Sequence, residues 1–314
     1  MRYYFAPMEG ITDSIYRRLH HKYFGGLDRY YMPFLSPTQH RSLTNRESRE
    51  LPMAEAELFT AVPQILTKNA EDFLWAAQVC LDRGYKEVNL NVGCPSGTVV
   101  SKGKGAGMLR NLSELDCFLE KIYASAPLPI SVKTRLGIES PEEFPPLLEI
   151  FNRYPIAELT IHPRVRKAFY SGGVDTEMFR YATENSKNPL CYNGNLNSLE
   201  DIQRLCAQFP DTQAVMLGRG LIGDPGMLAP GGTTVPALEQ FMEELLESYI
   251  EAFGGARNAM FRMKENWSFL LCRFDGSEKL GKQLRKTTDL AEYKAITAQI
   301  LHSLPLSSQL HPTW

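Results

Sequence analysis

No stretch of this sequence approaches the ~20 consecutive apolar residues that cross a bilayer, and none of its composition is that of a disordered chain. The opening Met-Arg-Tyr-Tyr-Phe-Ala-Pro lacks the apolar core and cleavage site of a signal peptide. Six cysteines (Cys80, Cys94, Cys117, Cys191, Cys206, Cys272) form no CxxC pair, which argues against a zinc knuckle or a disulfide scaffold and favours the reducing cytoplasm. An excess of one charge is missing too: 34 basic residues stand against 36 acidic ones, for a net charge of -2. Any nucleic-acid surface must therefore be a local patch. There is no internal repeat and no low-complexity segment. What is present is 314 residues with 43% hydrophobic content, enough for two domains or for one large barrel with an appendage.

Short β-branched or aromatic runs recur through the first two-thirds, each followed by a helix-like stretch. The pattern predicts strands at Tyr3–Ala6, Arg29–Met32, Ala61–Ile65, Glu87–Asn91, Ile130–Lys133, Glu158–His162, Leu190–Asn193 and Ala214–Leu217. Between them, 70–81 aligns Phe73, Leu74, Ala77 and Leu81 before Gly84 stops the helix. Residues 112–123 open on a capping-box-like Ser113…Asp116 and align Leu115, Phe118, Leu119 and Ile122, while Ser198 caps a helix over 199–209. Eight strands alternating with helices match a (β/α)8 TIM barrel, with a doubly wound open sheet as the rival. Gly and Pro crowd 218–236, and beyond them only helical periodicity continues. The expected division is a barrel over 1–234 and a small helical bundle over 235–314.

Polar residues fall where the expected strands end: Pro7-Met8, Gln64, Asn91 with Cys94, Lys133 with Arg135, His162 with Arg164, Asn193, and Gly218-Arg219. In a parallel barrel those ends share one face, and that face carries the active site. Gly218-Arg219-Gly220 after the last strand, with Asn193-Gly194 after the one before, suits a phosphate: glycines bare the backbone N–H groups and the arginine adds a bidentate cation.

Cys94 is the one cysteine on a glycine-flanked loop, in Asn91-Val92-Gly93-Cys94-Pro95. The other five read as small buried hydrophobes. Whether the Cys94 thiol serves as nucleophile or as acid is open at this point. Lys133 ends an apolar strand, where a cation either forms a core ion pair or stabilises an anionic ring or enolate. His162 is the only histidine at a strand end, and Arg164 two residues on favours a place in the site over a core role.

Ala6-Pro7-Met8-Glu9-Gly10-Ile11-Thr12-Asp13, Asn91-Val92-Gly93-Cys94-Pro95 and Gly105-Ala106-Gly107-Met108-Leu109 resemble the signatures of the tRNA-dihydrouridine synthases of bacterial type. Val132-Lys133-Thr134-Arg135, Ile161-His162-Pro163-Arg164, Asn193-Gly194 and Gly218-Arg219-Gly220 follow in that family's order, and the likeness covers about residues 3 to 230. It implies an FMN-dependent barrel that reduces the C5=C6 bond of uridine in tRNA, with NADPH reducing the flavin. By position, Pro7, Met8, Glu9 and Gln64 would hold the flavin ring, Lys133 and His162 its pyrimidine side, and Asn193, Gly194, Asn195, Gly218 and Arg219 the phosphate end. Asn91, Arg135 and Arg164 would meet the substrate, and Cys94 would donate the proton; no metal is implied. Leu66-Thr67, Pro163 and Asn89 depart from the common pattern, the last standing where Asp is frequent.

The tail supplies the local patch. From Arg257 to Lys286, eight basic residues face three acidic ones, and Lys282, Arg285 and Lys286 are the expected tRNA contacts. Lys102 and Lys104 add cations near Cys94. The expectation is a monomeric, cytoplasmic enzyme. Its rivals are a flavin barrel reducing a small pyrimidine or enone, and an RNA-binding protein on a barrel without turnover.

Overall fold

The computed structural model describes residues 1–312. Nine parallel strands make its sheet: β1 (Arg2–Phe5), β2 (Arg29–Tyr31), β3 (Ala61–Val62), β4 (Gln64–Ile65), β5 (Val88–Val92), β6 (Ile130–Arg135), β7 (Leu159–His162), β8 (Leu190–Tyr192) and β9 (Ala214–Leu217). Their order is β3-β2-β1-β9-β8-β7-β6-β5-β4. The two end strands are halves of one strand, parted at Pro63, which has no N–H for the ladder. The carbonyl of Val62 accepts from Met32 N at 2.9 Å on one side, and that of Pro63 accepts from Asn89 N at 2.8 Å on the other. One strand thus bonds to both neighbours and the ring closes, which excludes the open doubly wound sheet and gives eight strand positions, those of a TIM barrel.

By internal contacts the chain divides into two compact units, one of residues 1–7, 28–195 and 203–216, the other of residues 8–27, 196–202 and everything from Leu217 on. In the first, side chains alternate along each strand, so residues two apart share the barrel interior. Tyr4, Ala6, Tyr31, Val62, Cys191, Ala214 and Met216 fill part of it, none more than 4% exposed. Burying each large side chain of this kind contributes about 1.5–3 kcal/mol.

The helices before the tail are α1 (Ser14–Tyr23), α2 (Asn45–Glu50), α3 (Ala70–Asp82), α4 (Gly97–Val100), α5 (Leu112–Ser125), α6 (Phe144–Phe151), α7 (Thr176–Asn185), α8 (Leu199–Gln208) and α9 (Arg219–Gly223). The inward face of α3 is Phe73, Ala76, Ala77 and Cys80, one step round from the face expected, with Leu81 turned to solvent. The two alanines leave room for Phe118 of α5, whose ring meets Phe73 edge-on at 6.2 Å. In α5 the expected Leu115, Phe118, Leu119 and Ile122 are buried, but Asn111 rather than Ser113 is the cap: its carboxamide accepts from Glu114 N and donates to the Glu114 carboxylate. Cys117 lies off that face and is exposed, against its expected burial, and Cys206 is half-buried.

The second unit is helical. Helix α10 (Val235–Phe253) starts on the Thr234 cap and ends at Gly254 in the left-handed conformation, burying Leu238, Phe241, Met242, Leu245, Leu246 and Tyr249. Helices α11 (Ala256–Leu270), α12 (Glu278–Lys286) and α13 (Leu290–Ser303) follow. The Trp267 indole N–H of α11 donates to the Tyr293 hydroxyl of α13 at 2.9 Å, satisfying both polar tips inside the bundle. Among the described residues no helix is long and apolar enough to cross a membrane.

Candidate active site at the carboxyl ends of the strands

Cys94 sits two residues past β5, on a loop that Asn91 pins from below. The Asn91 side-chain oxygen accepts from Gly93 N at 3.1 Å and from Cys94 N at 2.9 Å. The Asn91 amide donates to Gln64 Oε1 at 2.7 Å, Gln64 donates to Asn89 Oδ1 at 2.7 Å, and Asn89 donates to Ser131 Oγ at 3.0 Å. Gly93 and Gly105 close the loop. A Cβ on Gly93 would stand 3.2 Å from the Thr134 backbone, and Gly105, at φ +56°, leaves no more than 3.0 Å between an added Cβ and the Cys94 carbonyl. The half-buried thiol is therefore carried by a backbone with little freedom.

Cations surround that loop. The register pairs Asn91 with Lys133 and Arg135 with His162, so β5, β6 and β7 end at one level. Arg135 donates to Gly93 O at 3.0 Å, to Val165 O at 3.2 Å and to Phe169 O at 2.6 Å, and its guanidinium lies 5.2 Å from the Tyr170 ring centre. It ties the Cys94 loop to the loop after β7, and Arg166 repeats the tie through Pro95 O at 3.2 Å. Arg164 bonds His162 Nε2 at 2.9 Å, Gly172 O at 2.6 Å and Asn195 Oδ1 at 2.9 Å. Lys133 forms neither a hydrogen bond nor an ion pair among the described residues, and no carboxylate pairs with Arg135 or Arg164. Burial, with Arg135 adding repulsion, pushes the Lys133 ammonium down to about 8, and burial also lowers Arg135 and Arg164. Positive charge without a counter-charge in a sheltered position is a seat for an anion. At the end of β8, Asn193 donates to Met216 O at 2.7 Å, and a Cβ on Gly194 would run into Val174 at 2.8 Å.

The sequence profile of the dihydrouridine synthase (Dus) family matches residues 4–298. The chain belongs to that family. It is 27% identical to the probable tRNA-dihydrouridine synthase of Rhizobium leguminosarum bv. phaseoli, over 95% of this chain and 94% of that one. With the probable tRNA-dihydrouridine synthase of Rhodobacter capsulatus it shares 30% identity over 71% of this chain and 68% of the relative. For tRNA-dihydrouridine synthase B of Pasteurella multocida the figures are 27%, 71% and 67%. Among solved structures, morphinone reductase has the same fold at TM-score 0.53 and 12% identity, over 72% of this chain and 84% of that one.

Within this dihydrouridine synthase, the site residues expected from sequence fall into the two units. Pro7, Gln64, Asn91, Cys94, Lys133, Arg135, His162, Arg164, Asn193, Gly194 and Asn195 belong to the first. Met8, Glu9, Gly218, Arg219, Lys282, Arg285 and Lys286 belong to the second. There Met8 N donates to Thr12 Oγ1 at 2.9 Å in a turn, and Glu9 is exposed. Gly220 admits no side chain, since a Cβ would stand 2.2 Å from Leu196 O. Three of the eight basic residues in the tail are tied up within the fold, Arg262 inside its own helix and Lys264 and Arg273 between elements. Arg262 pairs with Glu265 at 2.8 Å, Lys264 donates to the carbonyls of Arg285 and Thr287 at the end of α12, and buried Arg273 pairs with Asp224 at 3.3 Å. Lys279, Lys282, Arg285 and Lys286 stay exposed on α12, opposite its buried Leu280 and Leu284.

Sequence reasoning assigned no role to Asn89, Ser131, Arg166 or Tyr170. The signal for the first was visible: Asn89 and Asn91, two apart in an apolar strand, must share the interior face. For the loop 165–172 no periodicity exists to read. Among the described residues no cluster of His, Cys, Asp or Glu is arranged to hold a metal ion.

Proposed function

We propose that this chain reduces the C5=C6 bond of uridines in tRNA, with FMN as its resident cofactor and NADPH as reductant. The observation that carries the reading is the cysteine on a pinned loop beside Lys133, Arg135 and Arg164, cations for which the described residues supply no carboxylate. This is a fit for FMN, whose phosphate is anionic and whose reduced ring bears negative charge. Lys133, His162 and Gln64 would hold the ring together with Pro7, Met8 and Glu9, and Asn193, Gly194, Asn195, Gly218 and Arg219 the phosphate end. When bound, FMN supplies a hydride to C6 of the uracil ring, the electrophilic end of the enone made with the C4 carbonyl.

The chain's own residues do the rest. Addition at C6 leaves enolate-like charge, and Cys94 gives its proton to C5; an ordinary thiol, with pKa ~8.5, is mostly protonated at neutral pH and still able to release the proton. Asn91, Arg135 and Arg164 would meet the flipped-out uridine and its flanking phosphates, the base having left its stack to reach the site. The barrel of residues 1–234 would house the chemistry, and the helices of 235–314 would take the tRNA backbone on Lys282, Arg285 and Lys286. The relatives' names supply the substrate class; the protein would act as a monomer in the cytoplasm.

The test is to give the purified protein FMN, NADPH and either tRNA lacking dihydrouridine or free uridine. Dihydrouridine forms in the tRNA and not in the nucleoside. Replacing Lys282, Arg285 and Lys286 by Glu weakens tRNA binding and flattens its salt dependence by roughly the share of three phosphate contacts. Equal turnover of the nucleoside would favour a small-molecule reductase, and a purified protein that holds no flavin would favour a binding protein without turnover.

A further inference from the structure

We propose that Asn89 is a positioning residue that acts through Gln64 and Asn91 to hold the Cys94 loop; the inference rests on the reading of Cys94 as the acid. The chain of carboxamides has one polarity, and the backbone dictates it. The N–H groups of Gly93 and Cys94 can only donate, so the Asn91 oxygen must face them. The Asn91 nitrogen then faces Gln64, which must present its oxygen, and the Gln64 nitrogen must find an acceptor. Asn89 is that acceptor, and its own nitrogen ends the chain on Ser131. Asn89, Gln64 and Ser131 are each no more than 1% exposed, so water is not on hand to replace a lost partner.

Removing Asn89 leaves the Gln64 amide buried without its acceptor. The Gln64 carboxamide then gains by rotating toward any other acceptor, and each rotation offers Asn91 a nitrogen where it needs an oxygen. The frustration ends at the Cys94 N–H, three groups away. Aspartate at this position keeps the polarity, because it accepts from Gln64 on one side and from the Ser131 hydroxyl on the other. Aspartate at position 89 would thus do the same job toward Cys94 as the asparagine, by reversing only the serine.

The experiment compares Asn89→Leu and Asn89→Asp with the parent, as full-length purified protein, by two readouts. One is the rate at which iodoacetamide alkylates Cys94, followed by peptide mass so that exposed Cys117 does not interfere. The other is single-turnover reduction of tRNA by enzyme reduced beforehand. Asn89→Leu frees the loop, so Cys94 alkylation accelerates and tRNA reduction slows, each by about tenfold, the scale expected when a reacting group drifts by a fraction of an ångström. Asn89→Asp stays within about threefold in both; leucine and aspartate fill nearly the same space as asparagine, so a merely space-filling role would leave both variants like the parent, and only the lost acceptor toward Gln64 sets the leucine variant apart. Where Asn89→Leu fails to accumulate, Asn89→Ala carries the same expectation. Parent-like alkylation in the folded Leu or Ala variant overturns the proposal, and so does an Asn89→Asp variant as impaired as Asn89→Leu. Faster alkylation with unchanged tRNA reduction upholds Asn89 as the support of this loop and overturns Cys94 as the acid.

Discussion

Arg2 and Arg29, near the amino ends of β1 and β2, each meet a carboxylate: Glu158 at 3.0 Å and Glu87 at 2.8 Å. Buried Tyr4 adds its hydroxyl to Glu158 at 3.1 Å. Arg135 and Arg164, at and beyond the carboxyl ends of β6 and β7, meet carbonyls, an imidazole, an amide and a tyrosine ring, while Lys133, two residues short of the end of β6, forms no hydrogen bond; among the described residues none of the three pairs with a carboxylate. Burying a charge is costly at either end. At the amino end the cost is offset within the fold, and the arrangement contributes stability. At the carboxyl end the offset is left to whatever binds. The same strands therefore hold a closed electrostatic circuit at one rim and an open one at the other, and only the open rim carries a thiol on a pinned loop.

Substitutions at the two rims should fail in different ways. Cys94→Ala, at the open rim, removes the acid and lowers single-turnover reduction of bound tRNA by at least ~100-fold, the lower bound for a general acid, while reduction of the flavin by NADPH is unchanged. Equal loss in both half-reactions would show that Cys94 supports the cofactor and not the proton transfer. Glu158→Gln, at the closed rim, strips the counter-charge from Arg2 and weakens the bond from Tyr4. It costs about 2 kcal/mol in urea unfolding and leaves turnover within about twofold of the parent. A Glu158→Gln protein that is fully stable but slow would erase the distinction between the rims.

Much of this could be read in the sequence, for definite reasons. All eight strand positions were visible because their residues are buried on both faces and read as apolar runs. What no run shows is closure, which rests on the Pro63 carbonyl and the Val62 carbonyl bonding in opposite directions. The polar strand ends Gln64, Asn91, Lys133 and His162 stood out against apolar neighbours. Lys264 and Arg273 did not separate from Lys282 and Lys286 in the charge count, because a bond to the carbonyls of another helix or to a carboxylate far along the chain leaves no mark on local composition. The helix faces show the same limit. The expected face of α5 held, but that of α3 was turned by one position, since Ala76 and Cys80 carry a weaker apolar signal than Leu74 and Leu81 and yet fit the space.

The open rim also makes a prediction about proton binding, smaller in size and particular in sign. Burial first, and Arg135 second, pushes Lys133 from its ordinary 10.5 down to about 8. The unfolded chain therefore holds a proton on this lysine more firmly than the folded one does. Between pH 8 and 10.5 the unfolded state carries the extra proton, so the stability of the ligand-free protein gains with pH through that window. Below pH 8 both states are charged and the burial cost is present in full. Lys133→Met keeps the aliphatic stem and removes the charge, so its advantage over the parent is greatest below pH 8 and shrinks toward pH 10.5. Urea midpoints of both flavin-free proteins at pH 7 and pH 10 would read the difference. An anion bound at the rim should return the lysine toward its ordinary value and so abolish the trend, whereas a gap that stays constant with pH would mean that Lys133 is as well compensated as Arg29 at the other end.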